Sequence, residues 1–355
     1  MEFTAGMKDK SKRIIICATQ VPFVRGGAEY LVDSLRDALR EHGHSVDVVS
    51  LPFAWRPHER ILESALAWRL LDLTHVNETP VDQVICTKFP SYMVRHPRKV
   101  VWLVHQHRQA YDQYGTAFSD LVNTEAHRSL RDAIFRMDRR GLGEAQRRYA
   151  ISRNVRQRLL RFNQLDSTPL YPPSRYARHL WAGPYTDYIL SVARLDGAKR
   201  LDLLLTALAH TRQPVRAILA GTGPDQARLE RLAAQLQLGE RVQFLGFVDD
   251  ATLIDLYARA RAVFYAPIDE DYGFTTVEAC GAARPVITTS DAGGVLEFVT
   301  DGVNGLVSAP DATAIAGSLD TLVTDRNLAA RMGTAGLPLV RDITWERVVR
   351  TLVLP

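Results

Sequence analysis

"RIIICATQVPFVRGGAEYLVDSLRDALREHGHSVDVVSL", residues 13–51, decides the fold. It opens on a short apolar run rich in β-branched residues, which reads as a buried strand. A glycine turn follows at Gly26 and Gly27. "AEYLVDSLRDALREHG" then has helical spacing and stops at Gly43. "SVDVVSL" is the next strand. Strand, glycine-rich loop, helix and strand make a parallel βαβ unit.

The same alternation continues outward. "VDQVICTKF" (81–89) and "KVVWLVHQH" (99–107) read as strands with polar ends, and 147–162 as a short strand followed by a helix. "STPLYPPSRYARHLWAGPYT" (167–186) is aperiodic and rich in proline and aromatics, which marks a domain boundary. A second cycle starts at "DYILSVARL" (187–195) and alternates strands with helices to "GLVSAP". The expected architecture is α/β, with two Rossmann-like doubly wound domains facing a cleft. The expected division is 1–172 as the first domain, 173–186 as a linker and 187–340 as the second domain. A C-terminal helix in 341–355 is expected to pack back on the first domain.

Bulk composition agrees with two soluble domains. The 355 residues are 46% hydrophobic and 24% charged, enough for two separate cores. No apolar run approaches the roughly 18 residues of a membrane helix, and the first residues lack the apolar core of a signal peptide. A cytoplasmic protein is expected. Cys17, Cys86 and Cys280 show no paired spacing and argue against a disulfide framework or a zinc site. The net charge of +4 is uneven: eleven arginines fall between Arg128 and Arg161. Such a basic face suits an anionic partner, and "WRPHERILESALAWRL" (55–70) adds an apolar, Trp-bearing stretch beside it. Asp132, Asp138 and Glu144 are interspersed among the arginines, so solvated helix faces are the slightly favoured reading. The alternative is docking at the inner face of an anionic membrane, and nucleic acid is not an expected partner.

In doubly wound sheets, ligands bind outside the C-terminal strand ends. The loops there are "VRGGAE", "VHQH", "ARLDGAKR", "GTGP", "IDEDYGF" and "SDAGG". "EDYGFTTVE" (270–278) is the most informative. Gly273 lets backbone approach a ligand closely. Phe274, Thr275 and Thr276 begin a helix whose free N–H groups form an anion site. Glu270 stays in the loop and Glu278 lies one turn into the helix. Carboxylates accept from paired hydroxyls, so phosphate in the middle and hydroxylated rings at both ends describe a nucleotide sugar.

This stretch resembles the Glu-x7-Glu motif of retaining GT-B glycosyltransferases, specifically glycosyltransferase family four. "VARLDGAKRLDLLLTAL", "AGTGP", "GGAE", "ISRNVRQRL", "LYPP" and "RPVITTSDAGGVLEFVTDGVNGLV" resemble further elements of that family, in the right order from about residue 13 to 310. The resemblance implies that Glu278 binds ribose hydroxyls and that Glu270 holds donor-sugar hydroxyls. It implies that Arg194 and Lys199 grip the diphosphate, and that Gly273, Phe274 and Thr275 give backbone donors. Gly26 and Gly27 would approach the phosphate from the first domain, and Gly221 and Gly223 would shape a donor-binding turn. Base selection would fall near "GTGP" and "GFVDD", including Val248. A histidine beside the reacting sugar is implied; His105, at the strand end, is preferred over His107. Glu297 belongs to a family-like loop or caps a helix.

The implied reaction is transfer of a hexose, with retention, from GDP-mannose or a UDP-sugar to a hydroxyl of a glycan or lipid-linked acceptor. A bacterial polysaccharide or cell-surface glycan is the expected product. "FAWRPHERILESALAWRL" and "RQAYDQYGT" would shape the acceptor site. No Asp-x-Asp motif ends a first-domain strand, so no metal and no cofactor are expected. Two other readings remain open at this stage. An NAD-dependent oxidoreductase would use the glycine turns, although neither is G-x-G-x-x-G with a following acidic residue. A non-catalytic nucleotide-sugar-binding homologue would keep the fold alone.

Overall fold

Parallel pairing runs through both large sheets. The structure, a computed structural model, describes residues 11–355. The chain divides into two compact units. The first runs to Ile151 and resumes over Arg156–Tyr171 and Trp345–Pro355; the second comprises Ser152–Val155 and Pro172–Thr344.

In the first unit, β1 (Arg13–Gln20), α1 (Gly27–Glu41) and β2 (Ser45–Pro52) form the opening βαβ. There follow α2 (Glu59–Leu70), a small hairpin of β3 (His75–Val76) and β4 (Thr79–Pro80), then β5 (Gln83–Cys86), β6 (Lys99–Leu103), α3 (Glu125–Gly143), β7 (Arg147–Ala150), α4 (Arg153–Asn163) and β8 (Thr168–Pro169). The sheet order is β2-β1-β5-β6-β7-β8. β5 and β6 are buried along their whole length because helices cover both faces of a parallel sheet. Helix α1 buries Leu31, Leu35 and Leu39, one residue per turn on a single stripe.

The second unit contains β9 (Tyr188–Val192), α5 (Leu201–His210), β10 (Arg216–Ala220), α6 (Gln226–Gln235), β11 (Val242–Gly246), α7 (Asp250–Arg259), β12 (Ala262–Phe264), α8 (Phe274–Gly281), β13 (Val286–Thr289), β14 (Gly305–Ser308), α9 (Ala312–Thr324) and α10 (Arg326–Arg341). Its order is β11-β10-β9-β12-β13-β14. The order reverses between β9 and β12, so their following loops flank a topological switch point. In the first unit the corresponding point lies between β1 and β5. The last helix, α11 (Trp345–Leu352), belongs to the first unit: Trp345 meets Trp102 edge-on at 6.3 Å, and Gln83 Nε2 donates to Leu352 O at 2.8 Å.

Two sequence expectations, the linker and the Trp-bearing stretch, take a different form here. Residues 173–186, read as a linker, fold into the second unit, where Tyr176 and Tyr185 join its cores and Ser174 is buried. Cys17 and Cys86 keep the form expected of them, free buried thiols, and are register partners on β1 and β5. The Trp-bearing stretch does not present Trp68, which is wholly buried under α2; Leu66 and Leu70 are the large apolar residues α2 exposes. Among the arginines, Arg158 is buried against Asp112 at 3.1 Å, and Arg131 Nε donates to Ala110 O at 2.7 Å. Arg128, Arg136, Arg139, Arg140 and Arg147 are exposed. Among the described residues, no helix is long and apolar enough to cross a membrane.

Candidate active site

The loops after β9 and β12 meet at the switch point of the second unit. Ile268 N donates to Ala198 O at 2.9 Å, which brings Lys199 beside Glu270. Their side chains form an ion pair. Tyr265, just beyond β12, donates its hydroxyl to Glu270 Oε2 at 2.8 Å and accepts from Lys199 Nζ at 3.3 Å. Burial alone would lift the Glu270 carboxyl, but Lys199 outweighs it and holds the group below the ordinary range. Burial likewise works against the Lys199 ammonium, and Glu270 reverses the net shift upward. Both groups are charged at neutral pH.

The segment carrying Glu270 is pinned from two sides. Gly294 N donates to Glu270 O at 2.7 Å, and Asn154 Nδ2 donates to the same oxygen at 2.8 Å and to Asp269 Oδ1 at 2.7 Å. Gly293 has φ +63°, and a Cβ there would lie 2.7 Å from Glu270 N. Only glycine fits so close a crossing. Glu297 accepts from the backbone N–H groups of Arg153 and Asn154 at 2.9 and 2.8 Å, which is a helix-capping role. Arg200, adjacent to Lys199, donates to Ala266 O, Pro267 O and Thr289 Oγ1 and pairs with Asp291, tying three strand ends together.

Gly273 enters α8 with φ +87°, the left-handed region that glycine occupies readily. In the first turn of α8, Thr276 N donates to Gly273 O at 3.0 Å, while the N–H groups of Phe274 and Thr275 precede the first carbonyl the helix could offer them. Thr275 Oγ1 donates to Val192 O at 2.8 Å, which anchors that turn at the end of β9. One turn in, Glu278 is buried. Ser174 Oγ donates to its Oε1 and the Tyr257 hydroxyl to its Oε2, each at 2.8 Å. Burial raises the Glu278 carboxyl above its usual value, and these two hydroxyls oppose the shift. Two carboxylates eight residues apart thus occupy opposite environments, one beside an ammonium and one among hydroxyls.

The remaining candidates are distributed around this centre. Arg194 follows β9 and is half-exposed, with Nε 3.8 Å from Asp196. Gly221 and Gly223 serve a close approach of backbones: a Cβ would lie 2.0 Å from Ala193 O at the first and 2.2 Å from Leu195 O at the second. That contact holds the Arg194 loop in place. Val248 is half-buried against the core beneath, next to exposed Phe247.

In the first unit, Gly26 N donates to Glu29 Oε2 at 2.9 Å, and Lys88, after β5, pairs with Glu29 Oε1 at 2.6 Å. Gly26 and Gly27 are therefore fixed at that unit's own switch point. His105 is half-buried, with Nδ1 2.8 Å from Gln106 O. His107 is buried between Phe53 and Phe89 at ring distances of 5.8 and 5.5 Å. Burial, then the neighbouring His105 and His58, lower its pKa to about 4, so it is a neutral core residue at pH 7. Sequence reasoning missed Tyr265, Ser174, Tyr257 and Arg200. Tyr265 reads as part of the apolar run "AVFYAP", and Ser174 sits in the aperiodic boundary, so neither carries a local signal.

Residues 184–337 match the family Glycosyl transferases group 1. An uncharacterized glycosyltransferase of Methanocaldococcus jannaschii is 34% identical over 169 residues, 46% of this chain and 43% of that protein. The D-inositol 3-phosphate glycosyltransferase of Nocardia farcinica is 31% identical over 201 residues, 53% of this chain and 44% of that protein. The matches thus span less than half the length of these relatives. Among solved structures, sucrose-phosphate synthase from Thermosynechococcus elongatus has a TM-score of 0.76 at 19% identity, covering 96% of this chain and 97% of that one. The likeness extends the fold across both units, and the GT-B class expected from the sequence holds.

Proposed function

We propose, from the premise that residues 184–337 are a domain of the glycosyl transferases group 1 family, that this chain transfers a hexose from a nucleoside diphosphate sugar to an acceptor hydroxyl. The observation that carries the reading is the contrast between Glu270 and Glu278 on either side of Gly273 and the first turn of α8. Glu270, ionised beside Lys199, suits hydroxyls of the donor sugar. Glu278, buried among hydroxyls, suits those of the ribose. The first turn of α8 suits the diphosphate between them.

In this reading the bond from the anomeric carbon to the diphosphate breaks as the acceptor oxygen bonds to the same face. The departing diphosphate takes the acceptor proton, and configuration is retained. Arg194, Lys199 and the α8 first turn neutralise the developing charge, without a metal or cofactor. His105 is the first unit's candidate for a part in the transfer. Both UDP- and GDP-sugars, GDP-mannose included, fall within the proposal, as do glycan and lipid-linked acceptors. The exposed arginines of α3 support a peripheral site on an anionic membrane for a cytoplasmic enzyme. Sedimentation with anionic vesicles at low salt tests that part, and absence of binding ends it.

The central test is thermal shift with UDP, GDP, ADP and their sugars, since a ligand of the folded state raises its melting temperature. One nucleoside diphosphate and its sugar are expected to stabilise the protein, and turnover is expected to release that diphosphate. No stabilisation by any of them overturns the reading.

A further inference from the structure

Behind the loop after β6 lies a buried chain of side chains that no part of the transfer chemistry uses. Gln106, between His105 and His107, is wholly buried. Its Nε2 donates to Asn163 Oδ1 at 2.8 Å; Asn163 Nδ2 donates to the Tyr111 hydroxyl at 3.0 Å; and that hydroxyl donates to Asp138 Oδ2 at 2.7 Å. Asn163 is 1% exposed, Tyr111 2% and Asp138 0%. The four residues come from the loop after β6, the end of α4, the segment before α3 and α3 itself.

The chain has a direction. Every donor points towards Asp138, whose Oδ2 accepts the Tyr111 hydroxyl whether or not Oδ1 carries a proton. Reversing the Asn163 amide would set its nitrogen against the Gln106 nitrogen. Gln106 Oε1 is buried without a partner, so the Nε2 bond is its amide's sole side-chain anchor among the described residues. Buried chains of this kind strengthen cooperatively and fix one conformation.

We propose that Asp138 is a positioning residue: through Tyr111 and Asn163 it fixes the amide of Gln106, and with it the conformations of His105 and His107. Its relevance to transfer rests on the reading of this loop as part of the transferase site; the positioning itself does not.

The test uses the full chain and follows both imidazoles by nitrogen-15 NMR during a pH titration. Tyr111→Phe removes the link but keeps the ring, which stacks on Phe135 at 4.4 Å and 18°, so the fold is retained. His107 is held to about 4 by burial and by His105 and His58, against Asp120. When the loop loosens and admits water, its midpoint is expected to rise by about one unit or more towards that of a free imidazole. Asp138→Leu is expected to do the same, and Asp138→Asn, which still accepts from Tyr111, to leave the midpoint where it is. An unchanged His107 midpoint in Tyr111→Phe overturns the proposal. Release of UDP from UDP-glucose and of GDP from GDP-mannose is measured on the same variants. A moved midpoint with unchanged release upholds the positioning chain and removes this loop from the transferase reading.

Discussion

Lys199 and Glu270 are joined as an ion pair whose carboxylate oxygen also accepts the Tyr265 hydroxyl, so three side chains from two strand-end loops converge on one atom. The donor grip and the sugar contact proposed for this site are thus held together before any substrate arrives. Such an arrangement keeps an ammonium ready without reorganisation during the reaction.

Removing the ammonium has a signature in stability as well as rate. The folded Glu270 pKa lies below 4.5, so its contribution is present above that value and is lost as pH falls through the folded pKa. The folded Lys199 pKa lies above 10.5, so its contribution is present below that value and is lost as pH rises through the folded pKa. The pair therefore stabilises fully between these two reference values. Lys199→Met is expected to melt lower than wild type across that window, with the two curves converging towards acid. Melting temperature against pH checks this, and a constant offset down to strong acid would show that the loss is packing alone.

Glu278 shifts the opposite way. Its folded pKa is raised above 4.5, so the folded state binds its proton more tightly and stability declines as pH climbs through the interval between the two values. Glu278→Gln is expected to lack that decline. Glu278→Ala is expected to weaken UDP or GDP binding by about tenfold or more, through lost charge-assisted hydrogen bonds, with a smaller effect on kcat. Titration calorimetry separates these outcomes. Unchanged nucleotide affinity in Glu278→Ala would remove the ribose from this residue.

Asp138 gives the steepest pH dependence near neutrality. Burial raises its carboxyl to about 7, opposed by the hydroxyls of Tyr111 and Tyr92. Between about 4 and 7 the native state holds a proton that the unfolded chain releases, so stability falls with rising pH by a few kcal/mol at most. Asp138→Asn is expected to be little different from wild type at pH 5 and more stable at pH 8. Urea midpoints at the two values decide it; equal differences at both would place the titration elsewhere.

What the sequence conveys well is whatever repeats along the chain. Strand alternation and glycine turns announced two doubly wound sheets, and the Glu270–Glu278 spacing announced a loop followed by a helix. Contacts that close over long separations leave no such trace. Ser174 reaches Glu278 across 104 residues, and Gln106 reaches Asn163 across 57. Cys17 and Cys86 become neighbours only through strand order. The burial of Trp68 within the Trp-bearing stretch was not legible, because apolar residues spread around a helix do not reveal which face is covered.

Arg194 provides the sharpest test of how charge is neutralised. It stands half-exposed, with a distant contact to Asp196, whereas Lys199 is already committed to Glu270. An exposed guanidinium loses little stability on removal, so Arg194→Ala is expected to melt like wild type. If Arg194 holds the leaving diphosphate, that variant lowers kcat by about 10² or more and weakens nucleoside diphosphate binding alongside. Lys199→Ala is expected to lower kcat comparably but also to lower the melting temperature, because it strands a carboxylate. Excess EDTA is expected to leave wild-type turnover unchanged. Loss of activity in EDTA with recovery on adding Mg²⁺ or Mn²⁺ would transfer the neutralising role from these two cations to a metal. Wild-type kcat in Arg194→Ala would leave Lys199 and the first turn of α8 to carry the charge alone.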